Sequence, residues 1–141
     1  MSAFWDASAV VRVSVKHQAS VRARPLLDAH APAVWWGTPV EVRSALVRLK
    51  SEGVLSEPAY QACRRKLAAM LESWLEIGPT DVVRELALDV LDRFTLKAAD
   101  ALQLAAALAW CRQRPKGRLF VSSDSRLSAA ASQAGFEIAS I

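Results

Sequence analysis

The sequence is poor in the residues that many catalytic chemistries need. It holds two histidines and two cysteines in 141 residues. His17 and His30 lie in polar or loop-like surroundings and read as surface residues. No HExxH, GxSxG, Walker loop or GxGxxG occurs. These absences argue against a zinc protease, a nucleophile-elbow hydrolase, a P-loop enzyme and a dinucleotide-binding fold. Cys63 and Cys111 are far apart and lack CxxC spacing, so reduced thiols are expected and a disulfide or metal pair is not. Long apolar runs are missing too. The stretch from Ala101 to Cys111 falls short of the roughly 20 residues that span a bilayer. No basic segment followed by an apolar one opens the sequence, so no secretory leader and no membrane are expected, and a cytoplasmic location is. Repeats, low-complexity stretches and linkers are also lacking, and residues 1–141 are expected to form a single domain.

What is present is a globular composition, 52% apolar and 23% charged. A chain of this size can bury a core without covalent staples. The net charge is +4 and the pI about 9.5, which suits an anionic partner such as nucleic acid. The cations are spread out, however: Arg22 and Arg24, Arg43 to Lys50, Arg64 to Lys66, Arg112 to Arg118. Charge alone therefore fits ordinary solubility equally well. The five tryptophans read as core or subunit-interface residues more readily than as base-stacking platforms. Trp35 and Trp36 are adjacent, so in a strand they point to opposite faces.

Short strands alternate with helical stretches. AFWDAS reads as a buried strand, AVWWGT (Ala33 to Thr38) as a second, and LEIG (Leu75 to Gly78) as a third. GRLFVSSD and FEIAS are the fourth and fifth. Between them lie helical stretches over residues 8–16 and about 20–30, then Pro39 to Lys50, where Val42, Ala45, Leu46 and Leu49 repeat at helical spacing. SEP opens another helix with Ala59, Cys63, Leu67, Met70, Leu71 and Trp74 on one side. That apolar side reads as core or dimer interface. Thr80 or Asp81 starts the next helix. Leu96 to Arg114 reads as one long helix stopped by Pro115 and Gly117. Residues 125–134 form the last. The alternation predicts an α/β fold with a parallel sheet and helices on both faces.

Of the fourteen acids, ten have polar neighbours. Asp6, Glu41, Asp100 and Asp124 stand apart. Each has a structural explanation. Asp6 and Asp124 are placed to cap the helices that follow them. TPVE (Thr38 to Glu41) fits a capping box. Asp100 is a favourable charge near a helix start. Together they fit a second pattern. In a parallel sheet every strand-to-helix turn lies on one edge, where ligand sites form at the point of reversed strand order. Asp6, Glu41 and Asp124 gather there, and Asp100 joins them if its helix descends from that edge. Four such carboxylates repel unless a cation sits among them. Oxygen-only ligation fits Mg²⁺, or Mn²⁺. Metal-assisted phosphodiester hydrolysis is the matching reaction class.

These same residues resemble a known family. WDASAVV, TPVEVRSALVRLKSEGVLS, LKAADALQLAAAL and LFVSSDSRLSAAASQAGFEI, in that order, resemble the acidic segments of a PIN-domain ribonuclease of the VapC toxin type. The resemblance covers nearly the whole chain. It implies a three-layer α/β/α PIN-like fold with a parallel sheet of four or five strands. It implies a Mg²⁺-dependent endoribonuclease (with Mn²⁺ as substitute), inhibited by a small antitoxin and commonly a homodimer. It puts Asp6, Asp100 and Asp124 at the metal, adds Glu41 to the catalytic set, and makes Ser8 and Ser122 supporting hydroxyls. Gln103 stands where the family often has His, Ser122 where it often has Thr, and Trp5 is bulky for its place. Other readings are a PIN-type nuclease of RNA processing without an antitoxin and a non-catalytic binding module. A receiver-type phosphoacceptor lacks its acidic pair here. A D-x-D phosphohydrolase is disfavoured by Asp6-Ala7-Ser8.

Overall fold

Twelve elements follow one another in the computed structural model, which describes Met1 to Ile141. They are β1 (Ser2–Trp5), α1 (Ala7–Val15), α2 (His17–Ala29), β2 (Ala31–Trp35), α3 (Thr38–Ser51), α4 (Glu57–Leu71), β3 (Leu75–Ile77), α5 (Asp81–Arg93), α6 (Ala98–Trp110), β4 (Leu119–Ser122), α7 (Ser125–Ala134) and β5 (Glu137–Ser140). All five strands are parallel, in the order β3-β2-β1-β4-β5. β1 is central. The chain winds outward through β2 and β3, then crosses to β4 and β5. The order therefore reverses between β1 and β4.

Period-two alternation divides the sheet's side chains between two cores. Phe4, Ala33, Trp35 and Phe120 face α5, α6 and α7, with Leu104, Val90 and Leu127 among their neighbours. Ala3, Trp5, Val34 and Val121 face α1, α3 and α4, against Val10, Val42, Leu46 and Leu67. Phe4 and Phe120 stack at 5.6 Å between ring centroids. Each fully buried side chain of this size contributes roughly 2–3 kcal/mol. The result is a three-layer α/β/α arrangement, as the sequence implied.

Met70, Leu71 and Trp74 pack on the second core, and Trp74 lies 5.3 Å from the Trp5 ring. The apolar side of that helix is thus core. Trp35 is buried, whereas Trp36 is 52% exposed. No helix is long and apolar enough to cross a membrane, and both cysteines are free and buried.

Several boundaries depart from the sequence reading. β2 starts at Ala31 rather than Ala33 and contains Pro32. β3 pairs with β2 only from Ala33 onward, so Pro32 sits where one side of the strand is still an edge, and its missing N–H is tolerated. The long helix begins at Ala98 and ends at Trp110, not Arg114. Arg112 and Gln113 turn left-handed there (φ 53° and 58°), and the Gln113 N–H donates to the Leu108 carbonyl at 2.7 Å. No glycine marks this stop, so the sequence hid it. Finally, α4 ends at Leu71, leaving Trp74 in the turn before β3.

Candidate active site at the carboxyl edge of the sheet

Asp6 follows the last residue of the central strand. Its N–H donates to the Val121 carbonyl of β4, which holds it at the switch point. The residue is fully buried. Its carboxylate is not unpaired: Oδ1 accepts from the Ala9 N–H (2.9 Å) and the Ser8 hydroxyl (2.7 Å), and Oδ2 accepts from the Ser122 hydroxyl (2.5 Å). Asp6 is therefore the N-cap of α1. These bonds occupy three of about four acceptor positions, leaving one on Oδ2.

Ser122 ends β4. Besides donating to Asp6, its oxygen accepts from the Asp124 N–H at 3.0 Å. The Ser8 oxygen accepts from the Ser123 N–H at 3.1 Å. Two hydroxyls thus lock the end of β1 to the end of β4. Asp124 caps α7, its Oδ1 accepting from the Leu127 N–H at 2.9 Å.

Glu41 lies in the first turn of α3, but the capping box is absent. The helix is entered through Gly37, and Thr38 is already its first residue. The buried Thr38 hydroxyl accepts instead from Gln103 Nε2 at 3.0 Å, and the same Nε2 donates to Glu41 Oε2 at 2.7 Å. Gln103 is 1% exposed, and its Oε1 has no partner. A glutamine one turn along α6 from Asp100 therefore positions Glu41. The sequence flagged Gln103 only as a departure from a pattern, and its i, i+3 relation to Asp100 was the available clue.

Asp6, Glu41, Asp100 and Asp124 all line one cavity of about 310 Å³, with Ser8 and Gln103. Arg48 is the one cation on its wall. The electrostatics follow from the crowding. Burial pushes Asp6 up to about 6, against the lowering effect of its three hydrogen bonds, and the Asp124 charge adds to the rise. Burial also raises Glu41; the Gln103 bond opposes this, while Asp100 and Asp6 reinforce it. Asp100 is raised by burial and by Asp124, with Lys97 and Arg126 pulling the other way. Ion pairs occur only between Lys50 and Glu57 and between Arg84 and Asp81. No cation pairs with the four acids.

The donor set is oxygen-only and anionic, which fits a hard divalent ion. No group of three acidic, histidine or cysteine side chains is close enough to hold one ion by itself. That spacing fits an ion bound through one or two carboxylates and water, the usual habit of Mg²⁺.

An acidic pit at the switch point of a three-layer parallel α/β sheet is thus the class of structure in hand. The chain has the three-layer α/β/α, PIN-like fold that the resemblance implied. It is similar to VapBC2 from Rickettsia felis bound to a DNA fragment from their promoter, with TM-score 0.70 and 11% identity over 99% of this chain and 98% of that one. A toxin–antitoxin complex from Klebsiella pneumoniae matches at 0.61 and 21% identity over 91% of each chain. PAE2754 from Pyrobaculum aerophilum matches at 0.60 and 22% identity over 92% of this chain and 79% of that one. At these identities the likeness is one of fold. No family model matches the sequence, and no curated protein does.

Proposed function

We propose that this protein is a metal-dependent endoribonuclease, the toxin of a toxin–antitoxin pair neutralised by a small antitoxin. The observation that carries it is the convergence of Asp6, Glu41, Asp100 and Asp124, from four separate stretches of chain, on one cavity without a paired cation. Asp6, Asp100 and Asp124 would hold Mg²⁺ or Mn²⁺ directly or through water, with no more than two of them bound to the ion itself. Such an ion, when bound, acts as a Lewis acid toward phosphate oxygen and lowers the pKa of water. Glu41 is held through Oε2 by Gln103, which leaves Oε1 to take a proton from the attacking water. Its raised pKa brings it nearer the range of an effective general base. Ser8 and Ser122 fix the Asp6 carboxylate, so its free lone pair keeps one direction. Hydrolysis would leave a 5′-phosphate and a 3′-hydroxyl.

The antitoxin part rests on the shared fold with chains of toxin–antitoxin structures. A homodimer is the expected assembly. Exposed Trp36, Val40 and Val47, and Val82, Leu88 and Leu91, are apolar side chains that a partner would cover. A cytoplasmic setting agrees with the free thiols. The test is incubation of the purified protein with total RNA in Mg²⁺ or in EDTA. Discrete fragments are expected with the metal alone; intact RNA in both would end the nuclease reading. A non-catalytic module is the second reading, favoured by the capping roles of Asp6 and Asp124. It predicts RNA binding that is indifferent to divalent ions.

Gln103→Leu tests the positioning of Glu41. It removes both bonds and leaves the buried Thr38 hydroxyl unmatched, at about 1–3 kcal/mol of stability. Cleavage near neutral pH is expected to fall about tenfold, less than the roughly hundredfold or more that loss of the general base itself would cost, because Glu41 remains. Because the Gln103 bond lowers the Glu41 pKa, its loss should also move the acid limb of the pH–rate profile to higher pH. A rate loss with an unmoved limb would mean that Gln103 is only structural.

A further inference from the structure

The acidic pit does not stand alone. Ser8, Val11, Ala45 and Arg48 line both the pit and a second cavity of about 340 Å³, so the two adjoin. The second is a groove between α1 and α3. Arg12 and Lys16, one turn apart, stand on its α1 side, and Arg48 on its α3 side. Val11, Val15, Leu49 and Val54 supply aliphatic surface. We infer that this groove is the path of a single-stranded polynucleotide, whose phosphates on one side of the cut are held by Arg12, Lys16 and Arg48. The inference deepens the nuclease reading and depends on it for where the strand is cut, not for whether it binds.

Charge is the first argument. Four carboxylates repel a polyanion, so affinity for a phosphate backbone must come from beside the pit rather than from within it. The three cations adjoin the pit, are exposed, and take part in neither ion pair of the structure. Arg12 and Arg48 stand in the last turns of α1 and α3, where the helix ends favour a cation, but no carboxylate neutralises any of the three. The lining is the second argument. Val54 is 62% exposed and lies with three other aliphatic side chains. Such a surface suits the ribose or the face of an unpaired base. In a duplex those faces are stacked away. Single-strand binders combine a cationic groove with side chains that meet the bases. This groove has no aromatic residue, so stacking contributes little. Binding should then be governed by phosphate charge, steep in salt and tolerant of sequence.

The test is anisotropy of a fluorescein-labelled single-stranded RNA 12-mer with the full-length protein in EDTA, so that cleavage is off. Arg12→Ala/Lys16→Ala/Arg48→Ala should weaken binding about tenfold or more and flatten the log–log salt slope by about 2. The control is Arg112→Ala/Arg114→Ala/Lys116→Ala, which removes equal charge after α6, at the opposite edge of the sheet, and should change binding little. All six side chains are exposed, so melting temperatures should match the wild type; Lys16→Glu alone serves if a triple variant does not. Equal weakening in both triples would show a mere net-charge effect and overturn the groove. So would tighter binding of duplex than of single strand, or wild-type binding by the groove variant, which would leave the groove to a protein occupant. Cleavage is read separately with Mg²⁺. A wild type that binds through the groove but never cuts sinks the nuclease reading and leaves the groove; groove variants that cut subsaturating RNA at the wild-type rate do the reverse.

Discussion

Asp6→Asn is expected to abolish RNA cleavage and, in divalent-free buffer at pH 8, to raise the melting temperature. The two effects have one origin. Asp6 is fully buried, and burial lifts its pKa from 3.8 to about 6. A carboxyl whose pKa is raised on folding stabilises the protein below its unfolded value and loses that stabilisation as pH rises toward 6. Above pH 6 the ionised group costs about 3 kcal/mol in the metal-free protein. Asparagine keeps the shape and the N-cap role. Its Oδ1 still accepts from Ala9 and Ser8, and its amide donates to Ser122, which can rotate its own proton away. The gain should be up to roughly 9 °C at this chain length, and it should vanish near pH 4. The cost falls on chemistry, because a neutral amide is a poor ligand for a hard cation. A loss of about a thousandfold is comparable to that for removing a major electrostatic group from an active site. Calorimetry across pH 4–8, with a cleavage assay beside it, checks both. A variant that cuts at the wild-type rate removes Asp6 from the site, and one that melts lower at pH 8 means the carboxylate is net stabilising.

Much of the fold was legible because its signals are local. Alternation in AFW and LFV gives the two faces of the central strands, and i, i+3, i+4 spacing in α3 gives its buried stripe. What escaped was non-local or unmarked. Pro32 enters β2 only because β3 begins one residue later, a fact of pairing. The stop at Trp110 depends on Arg112 and Gln113 adopting left-handed backbone, which no side chain there announces. The capping box failed because Thr38 found a better partner in Gln103, 65 residues away.

The site divides along the same line. That four acids share one sheet edge follows from topology, since parallel strands put every strand-to-helix turn on that edge. How they are held does not. The Asp6–Ser122 bond spans 116 residues, and the Gln103–Glu41 bond spans 62. The two readings of Asp6 also proved compatible. It caps α1 through Oδ1, keeps an acceptor position on Oδ2, and lines the cavity with the other three acids. A capping carboxylate and a site carboxylate are the same atoms used in different directions.

Mg²⁺ or Mn²⁺ is expected to raise the melting temperature, and to do so much more at pH 8 than at pH 5. Repulsion among the four acids is the reason. Asp6, Glu41 and Asp100 all have raised pKa values, each in part from another acid of the group. An ion that binds only the folded protein stabilises it by about 2.7 kcal/mol at a hundred times its Kd, or roughly 8 °C for a chain of this length. At pH 8 the ion meets ionised carboxylates. At pH 5, below the Asp6 pKa of about 6, it must displace a proton from the most buried of them, so its apparent affinity drops. Proton release on binding, measured by titration in buffers of different ionisation enthalpy, should therefore be larger at pH 5 than at pH 8. Asp6→Asn should remove most of that difference. A melting temperature unmoved by either ion at pH 8 would leave the acids as caps and surface charges, and the nuclease reading would lose its chemical basis.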